Sequence, residues 1–297
     1  MRLRLRLFLS TLFLTATLHA QHTAAISSDP PADAAHPASL VEIAVPSHGA
    51  KLLGALYLAA GTQPHPTAII YHGFPGYEQN LDIAQTLRRA GYNVLAVHYR
   101  GSWGISGNFT YQHVIEDADA QVEWITSPEV AAKYHVDSKR IVLIGHSLGG
   151  YATISATAHN PGVVAAVSIS GASLGSRFAG LSPGDKEQAV AKAAARIDPA
   201  DLLPLAGTSA PALSGEVFDH RDEWTFLKLA PALGKRPILI LTANDGTGTN
   251  GEALFQALRD QGNTQASHIE IKTDHSFSDH RIALQEAILN FLAQSVR

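Results

Sequence analysis

The sequence contains no cysteine among its 297 residues. This absence excludes disulfide bonds, thiolate metal sites and a cysteine nucleophile. Fifteen histidines are present, but no two of them have the His-x-x-x-His spacing of a helical metal site. The sequence therefore does not predict a metal centre.

The sequence also lacks a large excess of either charge and has few long apolar runs. The chain has 26 acidic and 22 basic residues, a formal net charge of −4, and no long charged run after its first six residues. A nucleic-acid partner is therefore not expected. After the N-terminus no segment is apolar for long enough to span a bilayer. The length suits one large α/β domain or two small ones, and a hydrophobic content of 45% suffices for a sizeable core.

The N-terminus has the pattern of a secretory signal peptide. Three arginines in the first six residues precede an uncharged apolar run over 7–18. Ala20 is a plausible cleavage position, although Leu18 is bulkier than the usual residue before such a site. We therefore expect a signal peptide over 1–20, a flexible leader over 21–39, and an exported protein, periplasmic or secreted. An N-terminal membrane anchor is the alternative, but the run is shorter than the roughly 20 residues that cross a bilayer.

Strands and helices alternate along much of the remaining chain. A hairpin is predicted first, from 40–45 and 52–58. Short apolar segments then predict four buried strands, at 67–71, 93–98, 140–145 and 163–169. Helical patterns lie between them, at 81–90, 110–126 and 147–158. This alternation predicts an α/β fold with a mostly parallel sheet and helices on both faces.

The alternation stops over about 171–236 and then resumes. The interrupting stretch is rich in alanine and in proline and glycine breaks, with one fair helix near 185–196, and we interpret it as a small cap inserted above the sheet. The elements predicted after it are a strand at 237–242, a helix at 251–260, a strand at 267–272 and a helix at 278–294. One domain over 40–297 that carries this cap is therefore expected.

The segment 141–150, Ile-Val-Leu-Ile-Gly-His-Ser-Leu-Gly-Gly, has the pattern of a nucleophile elbow. An apolar strand delivers Ser147 to a sharp turn, and a helix follows. The turn leaves no room for side chains two residues before and two residues after the serine, where Gly145 and Gly149 stand. Ser147 is therefore the candidate nucleophile.

A serine nucleophile needs a base, and the base needs an orienting acid. In an open parallel sheet such groups lie just past the carboxyl ends of strands. Asp245 follows one late strand and His275 follows the next, so the chain order is serine, acid, histidine. His280 is the competing histidine, but it is predicted to lie inside the last helix. We therefore predict a triad of Ser147, Asp245 and His275.

An oxyanion that forms on attack needs free N–H donors. One donor is expected to be the backbone N–H of Leu148, directly after the nucleophile and at a helix start. The second is expected from the loop 72–76, His-Gly-Phe-Pro-Gly, where Phe74 offers an N–H and Pro75 does not. Phe74 and Leu148 are therefore the candidate oxyanion donors.

Taken together, these motifs resemble the α/β-hydrolase superfamily, in particular the branch that includes the catalytic domains of prolyl-oligopeptidase-type peptidases and related small esterases. The segments that carry the resemblance are 72–76, 99–107, 145–150, 244–245 and 274–277. The resemblance implies a sheet of the eight-stranded type, the triad and oxyanion donors named above, and no cofactor. The chain has no room for the propeller of the oligopeptidases, which argues against peptidase activity.

Two further residues are assigned to the substrate pocket, Trp103 and His146. Trp103 stands where many relatives have a small residue, and an aromatic packed under its own loop is the alternative interpretation. Acidic residues on the predicted helices are interpreted as parts of solvated faces: Asp82, Glu116, Asp117 and Asp119.

The expected reaction is hydrolysis of a small carboxylic ester through an acyl-enzyme on Ser147. A short-peptide substrate is the first alternative, and it would need an anchor for the peptide amine. Only four clustered acids in the cap could serve as that anchor: Glu216, Asp219, Asp222 and Glu223. A non-catalytic binding protein on a hydrolase scaffold is the second alternative, but every part of the machinery is present in order.

Overall fold

The structure is a computed structural model that describes residues 24–246 and 248–296. The predicted signal peptide over 1–20 lies outside the described residues. Within the described ranges, no helix combines the length and the apolar character that crossing a membrane requires.

One eight-stranded sheet runs through the molecule, in the order β1-β2-β4-β3-β5-β6-β7-β8. Its strands are β1 (Ser39–Ser47), β2 (Ala50–Leu58), β3 (His65–Tyr71), β4 (Asn93–Val97), β5 (Val136–His146), β6 (Val163–Ile169), β7 (Ile238–Ala243) and β8 (Ala266–Ile271). The pairs β1–β2 and β2–β4 are antiparallel, and the other five pairs are parallel. The predicted fold class is confirmed.

Ten helices with defined bounds connect or cover these strands. They are α1 (Leu81–Arg89), α2 (Tyr111–Thr126), α3 (Pro128–Tyr134), α4 (Leu148–His159), α5 (Lys186–Ala194), α6 (Pro199–Leu202), α7 (Ala210–Asp219), α8 (Phe226–Leu233), α9 (Gly248–Asp260) and α10 (Arg281–Ser295). Helices α2, α4, α8 and α9 pack on one face of the sheet, and α1 and α10 pack on the other.

Alternating side chains of the buried strands supply these two cores. In β3, Ile69 and Tyr71 belong to the core under α2 and α4, whereas Ala68 and Ile70 belong to the core under α1 and α10. Neighbouring residues of a strand point to opposite faces, so a strand buried on both faces must be apolar at every position. This requirement is met by the uninterrupted apolar runs that the sequence shows.

Several element boundaries differ from the predicted ones, and two of them, at β5 and α10, are explained by contacts of the chain. Strand β5 begins at Val136 because His65, at the start of β3, pairs with it before the register shifts. Helix α10 begins at Arg281 and not at residue 278. The residues before it form turns, in which Phe277 N–H donates to the Asp274 carbonyl and His280 N–H donates to the Phe277 carbonyl.

The described part of the predicted leader contacts the domain. Ala25 is buried, and its carbonyl accepts a hydrogen bond from Arg89 Nε at 2.5 Å. Arg89 is the last residue of α1. Residues near Ala25 therefore pack against the helix end, where the sequence had predicted a flexible segment.

Asp117 corrects the prediction of a solvated helix face, because its side chain is fully buried. Its carboxylate accepts hydrogen bonds from Ser47 Oγ at 2.6 Å, from Arg100 N–H at 2.8 Å and from Arg100 Nε at 2.6 Å. These contacts tie the end of β1 and the loop after β4 to α2. Arg100 is itself almost fully buried, and its guanidinium pairs with Asp117 and with the less buried Glu116.

Replacement of Asp117 by alanine is expected to lower the free energy of unfolding by about 3 kcal/mol, because it leaves a buried guanidinium without a full set of acceptors. Urea denaturation measures this loss. Asp119→Ala is the control on the same helix, since Asp119 is partly exposed and contacts only His159 and Asn160. It is expected to cost less than about 1 kcal/mol. Equal losses in the two variants would contradict the assignment.

Candidate active site

Ser147 lies between the last residue of β5 and the first residue of α4, with φ 57° and ψ −116°. This backbone conformation is typical of a nucleophile elbow. A Cβ added to Gly145 would lie 2.0 Å from the carbonyl oxygen of Gly149, and a Cβ added to Gly149 would lie 2.0 Å from the carbonyl oxygen of Tyr71. The turn therefore forms only with glycine at both positions.

Asp245 and His275 lie in the loops that follow β7 and β8. Because these strands are parallel neighbours, their carboxyl ends bring the two loops together. His275 Nδ1 lies 2.5 Å from Asp245 Oδ2. Because a carboxylate can only accept a hydrogen bond, the proton of this contact lies on His275 Nδ1. In the neutral ring His275 Nε2 therefore carries a lone pair and can act as a base. The Asp245 carboxylate is mostly buried, which favours its orientation of the ring.

The structure connects His275 to the elbow through His146. The His146 Nε2–H donates to the backbone carbonyl of His275 at 2.8 Å, and the two ring centroids are 4.8 Å apart. Within the described residues, no hydrogen bond joins Ser147 Oγ to His275. Such bonds are often long in enzymes without substrate and tighten in the complex. The predicted acid and base are therefore in contact, and the base lies beside His146, the residue that precedes Ser147.

His146 itself is 5% exposed, and its assignment to the substrate pocket stays a prediction. Burial, together with a smaller contribution from the neighbouring His275, lowers its pKa to about 4. His146 is therefore neutral at pH 7. Its hydrogen bond fixes the backbone of the residue that carries the candidate base.

The two predicted oxyanion donors lie in suitable places. Leu148 is the first residue of α4, where the helix leaves its N–H without an internal acceptor. Phe74 lies in the loop after β3, and a Cβ added to the preceding Gly73 would lie 3.1 Å from Ser147 Cβ. This loop therefore runs directly beside the serine. In the described part of the chain, neither the Leu148 N–H nor the Phe74 N–H donates a hydrogen bond.

A stack of three rings that the sequence reasoning missed supports this loop. His72 Nδ1 donates to the Gly73 carbonyl at 2.8 Å, and His98 Nδ1 lies 3.2 Å from His72 Nε2. Trp103 stacks on His98, with ring centroids 5.8 Å apart, and donates from Nε1 to the Pro75 carbonyl at 2.8 Å. His72 and His98 follow the ends of β3 and β4, so the strand-end argument applied to Asp245 could have found them.

Trp103, predicted to line the pocket, serves this loop and also faces solvent. Its side chain is 37% exposed, and the edge of Tyr77 packs against it. With Leu203 and Leu205 these aromatics line a surface groove of about 470 Å³. Trp103 therefore packs against its neighbouring loop, and its place in a substrate pocket stays a prediction.

The four acids suggested as an anchor for a peptide amine are mostly engaged elsewhere. Glu216 accepts from the N–H groups of Tyr111 and Gln112 at the start of α2. Asp219 pairs with Lys186 at 2.6 Å, and Glu223 pairs with His220 at 3.1 Å. Only Asp222 remains exposed without such a contact among the described residues.

The described residues hold no group of three or more histidine and acidic side chains that could bind a metal ion.

The lowered pKa values of His72 and His146 allow us to predict how the free energy of unfolding depends on pH. Burial lowers the pKa of His72 to about 4, as it does for His146. An unfolded histidine has a pKa of about 6.5, so between pH 6.5 and 4 the unfolded chain binds more protons than the folded one. The free energy of unfolding is therefore expected to fall by roughly 2 kcal/mol per buried histidine from pH 7.5 to 5, relative to a protein without them.

Urea denaturation across this range measures the loss, and NMR of the histidine ring protons assigns it. His72 and His146 are expected not to titrate above pH 5. His159 is the internal control, because its hydrogen bond to Asp119 raises its pKa, and it should titrate above the usual value. Titration of either buried ring near pH 6.5 would contradict the account.

Comparison with known proteins agrees with this architecture. A model of the alpha/beta hydrolase family matches residues 69–281. Among solved structures, the acylaminoacyl peptidase of Pyrococcus horikoshii is 20% identical with a TM-score of 0.65, over 87% of this chain and 42% of the peptidase. The alpha/beta hydrolase GrgF of Penicillium sp. sh18 is 19% identical with a TM-score of 0.65, over 88% of this chain and 99% of that one.

The carboxylesterase EstE1, cloned from a metagenomic library, is 17% identical with a TM-score of 0.63, over 96% of this chain and 97% of the esterase. The chain thus spans less than half of the peptidase and nearly all of the two smaller hydrolases. At these identities the structural likeness shows the fold alone. The family model covers more than half of the chain, so the predicted resemblance is confirmed, and the chain belongs to the alpha/beta hydrolase family.

Proposed function

We propose that the protein is a serine hydrolase that cleaves carboxylic esters through an acyl-enzyme on Ser147. The observation that carries this proposal is the 2.5 Å contact between His275 Nδ1 and Asp245, formed beside an elbow serine. It sets the tautomer that makes His275 Nε2 a base. A scaffold that had lost catalysis would have no need of this tautomer.

In the proposed acylation step, Ser147 Oγ attacks the acyl carbon of the ester and passes its proton to His275 Nε2. Asp245 stabilises the imidazolium that forms. The carbonyl oxygen becomes an oxyanion, which the N–H groups of Leu148 and Phe74 stabilise. Collapse of the tetrahedral intermediate breaks the bond to the alcohol oxygen, and His275 returns the proton to that leaving group.

In the deacylation step, water takes the place of the alcohol. His275 removes a proton from the water as its oxygen attacks the acyl carbon, and the proton returns to Ser147 as the acid product leaves. Each proton that is removed is returned, so the cycle consumes one water and needs no cofactor.

We prefer an ester because three of the four acids considered as an anchor for a peptide amine are held by other groups, as described above. Of the four, Asp222 alone is exposed without such a contact in the described part of the chain. The neighbours include a protein named as a peptidase and a protein named as a carboxylesterase, so both substrate classes belong in the test.

A fluorophosphonate probe is expected to label Ser147 in the folded protein, because such probes react only with an activated serine. Peptide mass spectrometry locates the label. Ser147→Ala should abolish labelling, whereas the control Ser276→Ala, beside the candidate base, should keep it. A folded protein that stays unlabelled, or that is labelled at another serine, would refute the proposal.

Asp245→Asn is expected to lower kcat on p-nitrophenyl esters by about three to four orders of magnitude, since an amide, which can also donate, replaces the carboxylate that sets the His275 tautomer and stabilises its imidazolium. Asp274→Asn is the matched control, because Asp274 is exposed and caps the Ser278 N–H. Its kcat should stay within about twofold of the wild type, a change too small to reflect lost transition-state stabilisation.

Faster turnover of aminoacyl-naphthylamides than of esters by the wild type would favour the peptidase alternative.

A further inference from the structure

A cleft of about 750 Å³ lies between the segment Arg177–Leu181, helix α5 and the loop that carries Asp245. Its volume is within the range of small-molecule sites. Apolar side chains form much of its wall: Phe178, Ala179, Leu181, Ala189, Ala193 and Ile197. Gly246, which directly follows Asp245, and Asn250, in the first turn of α9, line its other end.

Three cations also line this cleft, namely Arg177, Lys192 and Arg196, whereas none of its lining residues is acidic. Within the described ranges no carboxylate pairs with any of the three, although other cations of the cap are paired. Lys186, at the start of the same helix, is bound to Asp219 at 2.6 Å. Three like charges around one cavity create a positive potential that attracts an anion.

The cleft reaches the proposed catalytic centre at one end, through Gly246, next to the acid that contacts His275. Arg177, in the wall of the cleft, also acts on a buried ring: burial raises the pKa of Tyr111 to about 12, with a smaller contribution from Glu216, and the charge of Arg177 opposes that rise. The Tyr111 ring lies 6.2 Å from the ring of Phe74, whose N–H is a candidate oxyanion donor.

We infer that the cleft binds a carboxylate of the substrate, so that the enzyme prefers esters that carry a second, ionised carboxyl group. This inference rests on the proposed ester hydrolysis at Ser147. The apolar wall suits a short aliphatic chain, and the cations suit the charge at its end. The same charges disfavour a substrate with a free amine, which would bring a fourth positive charge into the cleft.

Paired substrates test the inference. The 4-nitrophenyl monoester of glutaric acid carries a carboxylate on its acyl chain, and 4-nitrophenyl pentanoate is its neutral counterpart. A third ester, 4-acetoxybenzoate, carries the carboxylate on the alcohol side, with phenyl acetate as its neutral counterpart. The ratio of kcat/KM, charged over neutral, shows which side of the ester the cleft accepts.

In the double variant Lys192→Gln/Arg196→Gln, at least one of these two ratios is expected to fall about tenfold, as for the loss of two exposed charge pairs. The wild-type ratio should also fall with added salt, which screens exposed charges. Lys186→Gln is the matched control, with the same loss of charge on the same helix but outside the cleft, and it should leave both ratios unchanged. If the double variant leaves both ratios unchanged, or if they fall equally in the control, the inference is overturned. The proposed function would still stand in that case, provided that ester turnover depends on Ser147.

Binding of glutarate, measured by calorimetry on the Ser147→Ala protein, separates the two claims. The inference predicts binding that Lys192→Gln/Arg196→Gln weakens and Lys186→Gln does not. If no ester is turned over through Ser147 but this binding pattern is observed, the proposed function fails and the carboxylate site stands. Glutarate that does not bind, or that binds equally to all three proteins, contradicts the site.

Discussion

The close contact between Gly149 and the carbonyl of Tyr71 is the constraint on which the rest of the site depends. A single methyl group at this position would overlap a backbone oxygen. The contact lets the start of α4 lie directly on the end of β3. As a result, Ser147, the first free N–H of the helix and the loop that follows β3 all meet at one point. The positions of the candidate nucleophile and of both candidate oxyanion donors therefore depend on the absence of a side chain.

Neutral imidazoles hold the loops around this point. His72 binds the loop that carries Phe74, and His146 binds the backbone of His275. Both are buried with lowered pKa values, so they act as hydrogen-bonding groups without adding charge. A charged support would compete with the oxyanion donors and would perturb the candidate base. The arrangement leaves Asp245 and His275 as the groups whose charge matters at the elbow.

The sequence allowed the sheet and the positions of Asp245 and His275 to be predicted, because an apolar run buried on both faces is followed at its end by the functional loop. Asp117 was misjudged for a different reason. Its burial depends on Arg100 and Ser47, which lie on distant elements, and helical periodicity carries no information about them. Similarly, the cleft around Arg177 and Arg196 could not be foreseen, because the alanine-rich segment has no period that orients its cations.

The central claim is that Ser147 accepts the acyl group of an ester, and rapid-quench mass spectrometry tests it most directly. The protein is mixed with excess p-nitrophenyl butyrate, quenched with acid within the first turnovers and digested. The account predicts a butyryl group on the peptide that contains Ser147, which forms at the rate of the initial release of nitrophenol. Steady release of nitrophenol with no acylated Ser147 peptide, or with the acyl group on another residue, would contradict it.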